Sequence, residues 1–306
     1  MDRLTLVLPV LNEADTIATL CHEVEAHVNH PIDFIFVDDG STDQTLQVLR
    51  SLDIRPSNTK KIVVLSRNFG QQQAIMEGLR VVSAASSHVV VMDSDSQDRP
   101  RDVPLLLQKL EESYDCAVAF RAPATGNWFM NTLTNAFYGL QARLTSFPIP
   151  KHAGTFCAFN RVMLERLLEF QECEVYFPGI RAYVGMKQVL VHVERGERGS
   201  GKSRVGFLGL VNLSTAGLVG FSALPMRAIF LFGIVITILC ILLGTVILLL
   251  RLTGIIQVMG FTSLAIFILG LFGVQITFTG LVGEYVGKLF IESKRRPRAI
   301  VKEVIR

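Results

Sequence analysis

An α/β domain with a mostly parallel sheet, followed by an apolar membrane-inserted segment, is the fold class that this 306-residue sequence predicts. Three observations predict it. Short apolar runs alternate with helix-like stretches along the first part of the chain. Two later runs, Ala228–Leu250 and Ile255–Val282, contain no charged residue, and each exceeds the roughly 20 residues a helix needs to cross hydrocarbon. Finally, residues 286–306 hold seven Lys/Arg against two Asp/Glu, so the formal net charge of +3 belongs to that end and not to a folded face. With half the residues hydrophobic, a disordered chain is excluded. A nucleic-acid binder would spread its basic residues over a surface, so no nucleic-acid partner is expected. Cys21, Cys116, Cys157, Cys173 and Cys240 show neither CxxC spacing nor close pairing, which predicts neither a zinc site nor a disulfide framework.

In chain order, Leu4–Val10, Phe34–Val37, Ile62–Leu65, Val89–Met92 and Ala117–Phe120 are rich in Val, Ile, Leu and Phe and bounded by polar or turn-forming residues, which predicts strands. Between them Thr16–Val28, Gln44–Leu52, Gln71–Ala84 and Val103–Glu112 predict helices, with Asp43 placed to cap the second and Pro100 limiting the start of the fourth. A further strand-like run covers Val189–Val193. Open α/β sheets bind ligands beyond the carboxyl ends of their strands. Those ends here carry Asn12-Glu13, Asp38-Asp39, Ser66-Arg67-Asn68 and Asp93-Ser94-Asp95.

Asp93 and Asp95 form the sharpest local feature. Residues two apart in an extended chain project to one side, so both carboxylates would face one hard cation, Mg²⁺ or Mn²⁺, with Gln97 adding a neutral oxygen. The bland reading is a solvated acidic turn, and the acids at the other strand ends weigh against it. Asp38-Asp39-Gly40-Ser41 is open to both readings as well: a turn, or a pair of acceptors for a base or ribose. Gly196 to Ser203 fits the phosphate-loop pattern GxxxxGK[ST] after the Val189–Val193 run. A phosphate-loop domain needs a helix and further strands after that loop, and only about 25 residues precede the first apolar run, so a basic loop of Arg198, Lys202 and Arg204 near lipid headgroups is the better reading.

The two apolar runs predict a transmembrane hairpin at about 228–250 and 260–282. Arg204 and Arg227 precede it and Lys288, Lys294, Arg295, Arg296 and Arg298 follow it, against Arg251 alone in the connector, which places both ends on the cytoplasmic side. Residues 205–226 mix apolar side chains with Ser, Thr and Gly, and predict an interfacial segment that bends at Pro225. The expected organisation is therefore a cytoplasmic domain over 1–204, the interfacial segment, the hairpin within 227–285 and a basic cytoplasmic tail over 286–306.

The ordered motifs Leu8-Pro-Val-Leu-Asn-Glu13, Val37-Asp-Asp-Gly-Ser-Thr-Asp43, Ser66-Arg-Asn-Phe-Gly70, Met92-Asp-Ser-Asp-Ser-Gln-Asp98 and Gly201-Lys-Ser-Arg204, followed by a membrane hairpin, resemble the polyisoprenyl-phosphate glycosyltransferases of glycosyltransferase family 2. Within that group the chain looks most similar to bacterial undecaprenyl-phosphate aminoarabinose and glucosyl transferases, and less so to dolichol-phosphate mannose synthase. The resemblance implies a GT-A nucleotide-sugar-binding domain at the bacterial inner membrane. It would take a sugar from a nucleotide diphosphate sugar, use Mg²⁺ or Mn²⁺, and place the sugar with inversion on a polyprenyl phosphate; homotetramers are also implied. By the same resemblance Pro9, Leu11, Glu13, Asp38, Asp39 and Arg67 would hold the nucleoside, and Asp93, Asp95 and Gln97 the metal. Arg121, Arg198, Ser203 and Arg204 would meet phosphate oxygens.

Three departures from the family pattern stand out. Leu11 replaces the usual aromatic residue and Arg204 the usual Lys. Thr155, in Gly154-Thr155-Phe156, stands where glucosyl relatives have the Asp assigned as base, while the aminoarabinose alignment puts Lys151 there instead; Lys151 or His152 would then attract the acceptor phosphate. A catalytically inactive binding protein is the alternative that Thr155 favours. A processive polysaccharide synthase would carry Gln-x-x-Arg-Trp, and the single tryptophan, Trp128, lies outside such a motif.

Overall fold

The structure is a computed structural model, and it describes residues 3–95, 97–120, 153–172, 175–194, 260–294 and 296–306, with a few isolated positions between 232 and 253. Its elements run β1 (Arg3–Val10), α1 (Ile17–His27), β2 (Ile32–Asp38), α2 (Thr45–Ser51), β3 (Thr59–Leu65), α3 (Gln71–Arg80), β4 (Ser86–Val91), α4 (Val103–Glu111), β5 (Cys116–Phe120), β6 (Ala153–Asn160), α5 (Arg161–Leu168), α6 (Phe177–Val184), β7 (Gln188–His192), α7 (Phe261–Ser293) and β8 (Val301–Ile305). The strands form one eight-stranded sheet in the order β7-β5-β6-β4-β1-β2-β3-β8. The pairs β4–β1, β1–β2, β2–β3 and β5–β7 are parallel; β6 runs antiparallel to both β4 and β5, and β8 antiparallel to β3. A mostly parallel α/β sheet is thus present, and each of the six predicted strands lies within or overlaps an observed one.

Strand β1 is central, and residues 4–10 are buried on both faces, as expected of a parallel strand covered by helices on each side. Helix α1 buries Ile17, Leu20, Cys21 and Val24, the spacing that puts four side chains on one stripe. On β2, Phe34 and Phe36 lie two residues apart on one face and stack with ring centroids 5.8 Å apart. Two lysines at the start of β3 fasten neighbouring helix ends: Lys60 Nζ donates to the carbonyls of Leu49, Arg50 and Leu52 at the end of α2, and Lys61 Nζ to Val81 O after α3. The N-cap of α2 is Gln44, without a side-chain cap bond, and the predicted cap Asp43 stands one residue earlier, its Oδ1 accepting from Thr45 N at 2.9 Å. Pro100 opens a three-residue 3₁₀ turn, Pro100–Asp102, that leads into α4.

Helix α3 packs on the sheet through Gly78. A Cβ there would lie 2.5 Å from Val7 Cγ1 and 2.9 Å from Val37 Cγ2. Gly78→Ala is therefore expected to destabilise the domain by about 1–3 kcal/mol through overpacking, read as a lower midpoint of thermal unfolding.

The C-terminal residues differ from expectation. Residues 286–306, predicted as a basic tail, continue α7 as far as Ser293 and then return to the sheet as β8. The helix runs on past 282 through Gly283 and Gly287 and ends at Ser293, and Pro297 follows shortly after that end. The segment 297–306 belongs to the same compact unit as β1–β7, while α7 belongs to a second unit.

Counting the described side chains, no helix is long and apolar enough to cross a membrane, so the predicted hairpin is not supported there. Helix α7 is nonetheless 33 residues long and exposes Leu264, Phe267, Ile268, Phe272, Ile276, Leu289 and Phe290. The predicted first span, the interfacial segment 205–226 and the phosphate-loop-like Gly196–Ser203 lie outside the described residues, apart from isolated positions in the span.

Candidate active site

The crevice between β1 and β4 is where the strand order reverses, and the loops that follow β1, β2, β3 and β4 open on that edge of the sheet. After β1, Asn12 takes a left-handed backbone with φ 54°, a conformation Asn tolerates better than most residues. Its N–H donates to Ser41 Oγ at 3.0 Å and its Oδ1 accepts from Thr42 N at 2.8 Å, which ties the β1 loop to the β2 loop. Glu13 is held by its own N–H donating to Thr45 Oγ1 at 2.8 Å and by Thr16 Oγ1 donating to its Oε2 at 2.7 Å. Leu11 is half-buried beside them.

After β2 the two aspartates are both buried, and each orders a different loop. Asp38 Oδ1 accepts from Ser41 N at 3.0 Å and closes its own turn. Asp39 accepts from Phe69 N at 2.7 Å and Gly70 N at 2.9 Å and so anchors the loop after β3. Burial raises the Asp39 carboxyl above the usual range, and the two amide bonds oppose that rise. Gly40, at φ 75°, is required here: a Cβ would lie 2.6 Å from Arg67 C and 2.7 Å from Asn68 N. Arg67 is exposed, its guanidinium 4.5 Å from the centre of the Phe69 ring.

The loop after β4 carries the predicted metal ligands. Ser94 Oγ donates to Pro9 O at 2.9 Å, which pins this loop to β1 and gives the predicted residue Pro9 a backbone role. Asp93 Oδ1 accepts from Gln71 Nε2 at 2.6 Å and from Thr155 Oγ1 at 2.9 Å, and Asp98 Oδ2 accepts from Asp93 N at 2.8 Å. Asp95 accepts from Gln97 through both that residue's backbone N–H, at 3.1 Å, and its side-chain Nε2, at 2.6 Å. Gln97 thus turns its amide nitrogen, and not its oxygen, toward Asp95. Asp93 and Asp95 lie just past the end of the strand, so it is the turn closed by Asp98, and not strand alternation, that orients them.

Gln71, Asp98 and Arg181 were missed by sequence reasoning. Asp98 was visible as a third acid in the same run; Gln71 and Arg181 gave no local signal, being a polar first residue of α3 and an arginine on α6. Arg181 is fully buried. Its Nη1 donates to Gly154 O at 3.0 Å, next to Thr155, while among the described residues its Nε and Nη2 have no partner at hydrogen-bond geometry. Burial raises the neighbouring Cys157 thiol, but the hydrogen bond with Cys116 and the Arg181 charge outweigh it and bring it to about 7. On the far side of the β4 loop, Glu194 Oε2 accepts from Arg99 Nη1 at 2.7 Å and Arg101 Nη2 at 2.9 Å, joining the residues after β7 to the aspartate loop. Arg121, Lys151, His152, Arg198, Ser203 and Arg204 lie outside the described residues.

Two part-exposed carboxylates on a loop suit a small hard cation, since such ions are held by one or two carboxylates together with substrate phosphates. Among the described residues no cluster of three or more His, Cys, Asp or Glu side chains forms a metal cage, so the remaining ligands of such an ion would come from outside that set.

Residues 5–168 match the family model described as Glycosyl transferase family 2. Over 306 residues the chain is 32% identical to an uncharacterised glycosyltransferase of Synechocystis sp. (strain ATCC 27184 / PCC 6803 / Kazusa), covering 98% of this chain and 95% of that one. It is 30% identical over 308 residues to the prophage bactoprenol glucosyl transferase homolog of Escherichia coli (strain K12), with 99% of each chain covered. It is also 28% identical to the undecaprenyl-phosphate 4-deoxy-4-formamido-L-arabinose transferase of Edwardsiella ictaluri (strain 93-146), covering 99% of this chain and 94% of that one. Among solved structures, the fold is similar to glucosyl-3-phosphoglycerate synthase from Mycobacterium tuberculosis in complex with Mn²⁺, UDP-glucose and phosphoglyceric acid. That match has a TM-score of 0.50 at 21% identity and covers 72% of this chain and 79% of the other.

Proposed function

The chain belongs to glycosyl transferase family 2 and is a nucleotide-sugar glycosyltransferase, and from that premise we propose that it moves a sugar onto a polyprenyl phosphate at the cytoplasmic face of a bacterial inner membrane. The observation that carries this reading is the Asp93 site: an acid at the topological switch point, oriented by Gln71 and Thr155, in a chain matching bactoprenol and undecaprenyl-phosphate transferases over nearly its full length.

In this reading Pro9, Leu11, Glu13, Asp38, Asp39 and Arg67 hold the nucleoside, while Asp93 and Asp95, with Gln97 behind them, hold Mg²⁺ or Mn²⁺. Such an ion supplies positive charge opposite the diphosphate of the donor. Arg121, Arg198, Ser203 and Arg204 meet phosphate oxygens. The acceptor needs no carboxylate base, because a phosphate monoester has a second pKa of about 6 and is largely a dianion at neutral pH. Its oxygen attacks the anomeric carbon as the nucleoside diphosphate leaves, in one displacement that inverts configuration. The exposed apolar residues of α7 support a lipid environment for that helix.

Thr155 acts in this scheme by orienting Asp93. Thr155→Val is expected to lower turnover about tenfold, the scale of one lost charge-assisted hydrogen bond, with little change in donor KM. Thr155→Asp is expected to be slower than wild type, because a second carboxylate would face Asp93 where the hydroxyl now donates at 2.9 Å. A Thr155→Asp protein faster by orders of magnitude would show that a base is missing.

The function is tested with the full-length chain in liposomes holding undecaprenyl phosphate, offered a panel of nucleotide sugars, with the lipid weighed by mass spectrometry. One glycosyl phosphoprenol that disappears when divalent ions are chelated is the expected result. Consumption of a nucleotide sugar without a lipid product would remove the acceptor assignment while leaving the family intact.

A further inference from the structure

We propose that the C-terminal segment 297–306 is a working part of the donor pocket, because it holds in place the loop whose backbone amides orient Asp39. The proposal rests on the reading of Asp39 as a nucleoside-binding group.

The path is short and unbroken. Strand β8 pairs with the outer edge of β3, Ile62 opposite Ile305 and Val64 opposite Glu303, and after an irregularity between Val64 and Leu65 it ends with Leu65 opposite Val301. The next hydrogen bond along that edge runs from Ser66 N to Ile300 O at 2.8 Å. Only Arg67 and Asn68 separate Ser66 from the two amides that reach Asp39, those of Phe69 and Gly70. The backbone of Arg67 and Asn68 is pressed on Gly40, so the loop is clamped from below by β2's turn and from the side by the C-terminal segment. The segment has its own anchors: Ile305 packs against the core, Arg50 Nη2 donates to Glu303 Oε1 at 2.8 Å, and Arg298 Nη1 donates to Phe170 O at 3.0 Å.

Without the segment, β3 becomes an edge strand and Ser66 N–H loses its partner. Residues 66–68 then gain backbone freedom that a bound nucleotide must remove, so donor binding weakens. Chemistry is spared, because Asp93 follows β4, which lies beyond β2 and β1 from β3.

The test uses full-length protein in detergent micelles carrying Ile305→Asp, which pushes the strand off the core without shortening the chain, and Ile305→Val as the conservative control. UDP, GDP, ADP and CDP are titrated in turn, and the one that binds wild type serves as the probe. For Ile305→Asp, hydrogen exchange at residues 66–70 should accelerate and probe affinity fall about tenfold, with turnover at saturating donor within about twofold; Ile305→Val should match wild type. Unchanged exchange at residues 66–70 overturns the proposal. Faster exchange with unchanged affinity shows a real clamp on a loop that does not serve the donor, which overturns both the proposal and the role of Asp39 while leaving sugar transfer to the lipid standing. If Ile305→Asp aggregates, the chain is cut after Arg296 and a synthetic peptide of residues 297–306 is added in trans. Recovery of probe affinity on adding peptide is expected, and its absence overturns the proposal.

Discussion

Asp93→Asn is expected to lower sugar transfer by about three orders of magnitude while leaving the unfolding temperature nearly unchanged. The two halves of that expectation come from the same carboxylate. Its Oδ1 accepts from Gln71 and Thr155, and an asparagine keeps an oxygen there able to accept both bonds, so the loop stays closed. What the substitution removes is the negative charge, which decides whether a divalent ion is held opposite the departing diphosphate. A loss of about 4 kcal/mol of charge stabilisation corresponds to roughly a thousandfold in rate. Single-turnover assays together with thermal melts separate the two effects. Wild-type turnover in Asp93→Asn would falsify the metal role, and a large fall in melting temperature would show that this carboxylate serves the fold instead.

Arg181 gives the second large effect, this time on stability. Arg181→Ala is expected to cost about 3–5 kcal/mol, because it opens a cavity at a fully buried position and strips Gly154 O of its donor. Arg181→Met refills the volume. It also removes a buried cation whose Nε and Nη2 have no hydrogen-bond partner among the described residues, so its stability at neutral pH is expected within about 1.5 kcal/mol of wild type. Both variants also differ from wild type in their pH dependence. The Cys157 thiol is lowered in the folded protein by its hydrogen bond with Cys116 and by the Arg181 charge, so its ionisation adds stability toward alkaline pH and that gain is lost as pH falls through its folded pKa. Arg181→Met removes the cation that lowers this thiol and should flatten that rise. Turnover should fall in Arg181→Met as well, since Gly154 precedes Thr155, the residue that orients Asp93. Denaturation midpoints at pH 7 and pH 9 check the first claim and steady-state rates the second. A methionine variant as unstable as the alanine variant would mean that the guanidinium bonds, and not the filled volume, hold this region.

Much of the parallel half of the sheet was legible because each strand there is a local event. Leu4–Val10 or Ile62–Leu65 is a run of apolar residues ended by polar ones, and a parallel sheet buried on both faces needs little more. The residues at the ends of those runs, Asn12, Asp38, Asp39, Asp93 and Asp95, were found by the same rule, and the structure brings loops carrying them to one edge of the sheet. Strand β6 was read only as the motif Gly154-Thr155-Phe156. Its insertion between β4 and β5 depends on partners at residues 88–91 and 116–120, far away in the chain. The C-terminal strand was misread for a related reason. Residues 286–306 are basic and alternate weakly, and only the open edge of β3 gives Val301–Ile305 something to pair with.

Sequence alone determined the α/β class, the order of the strand-end acids and the family, since these depend on apolar runs and on motifs read residue by residue. Tertiary structure decided which groups act on those acids: that Gln71 and Thr155 meet on Asp93, that Asp39 is a knot between two loops, that a buried Arg181 stands behind Gly154, and that the last strand braces the loop after β3. Each is a contact between residues distant in sequence. Its existence depends on sheet order and register, which burial of the whole core selects and no local pattern encodes.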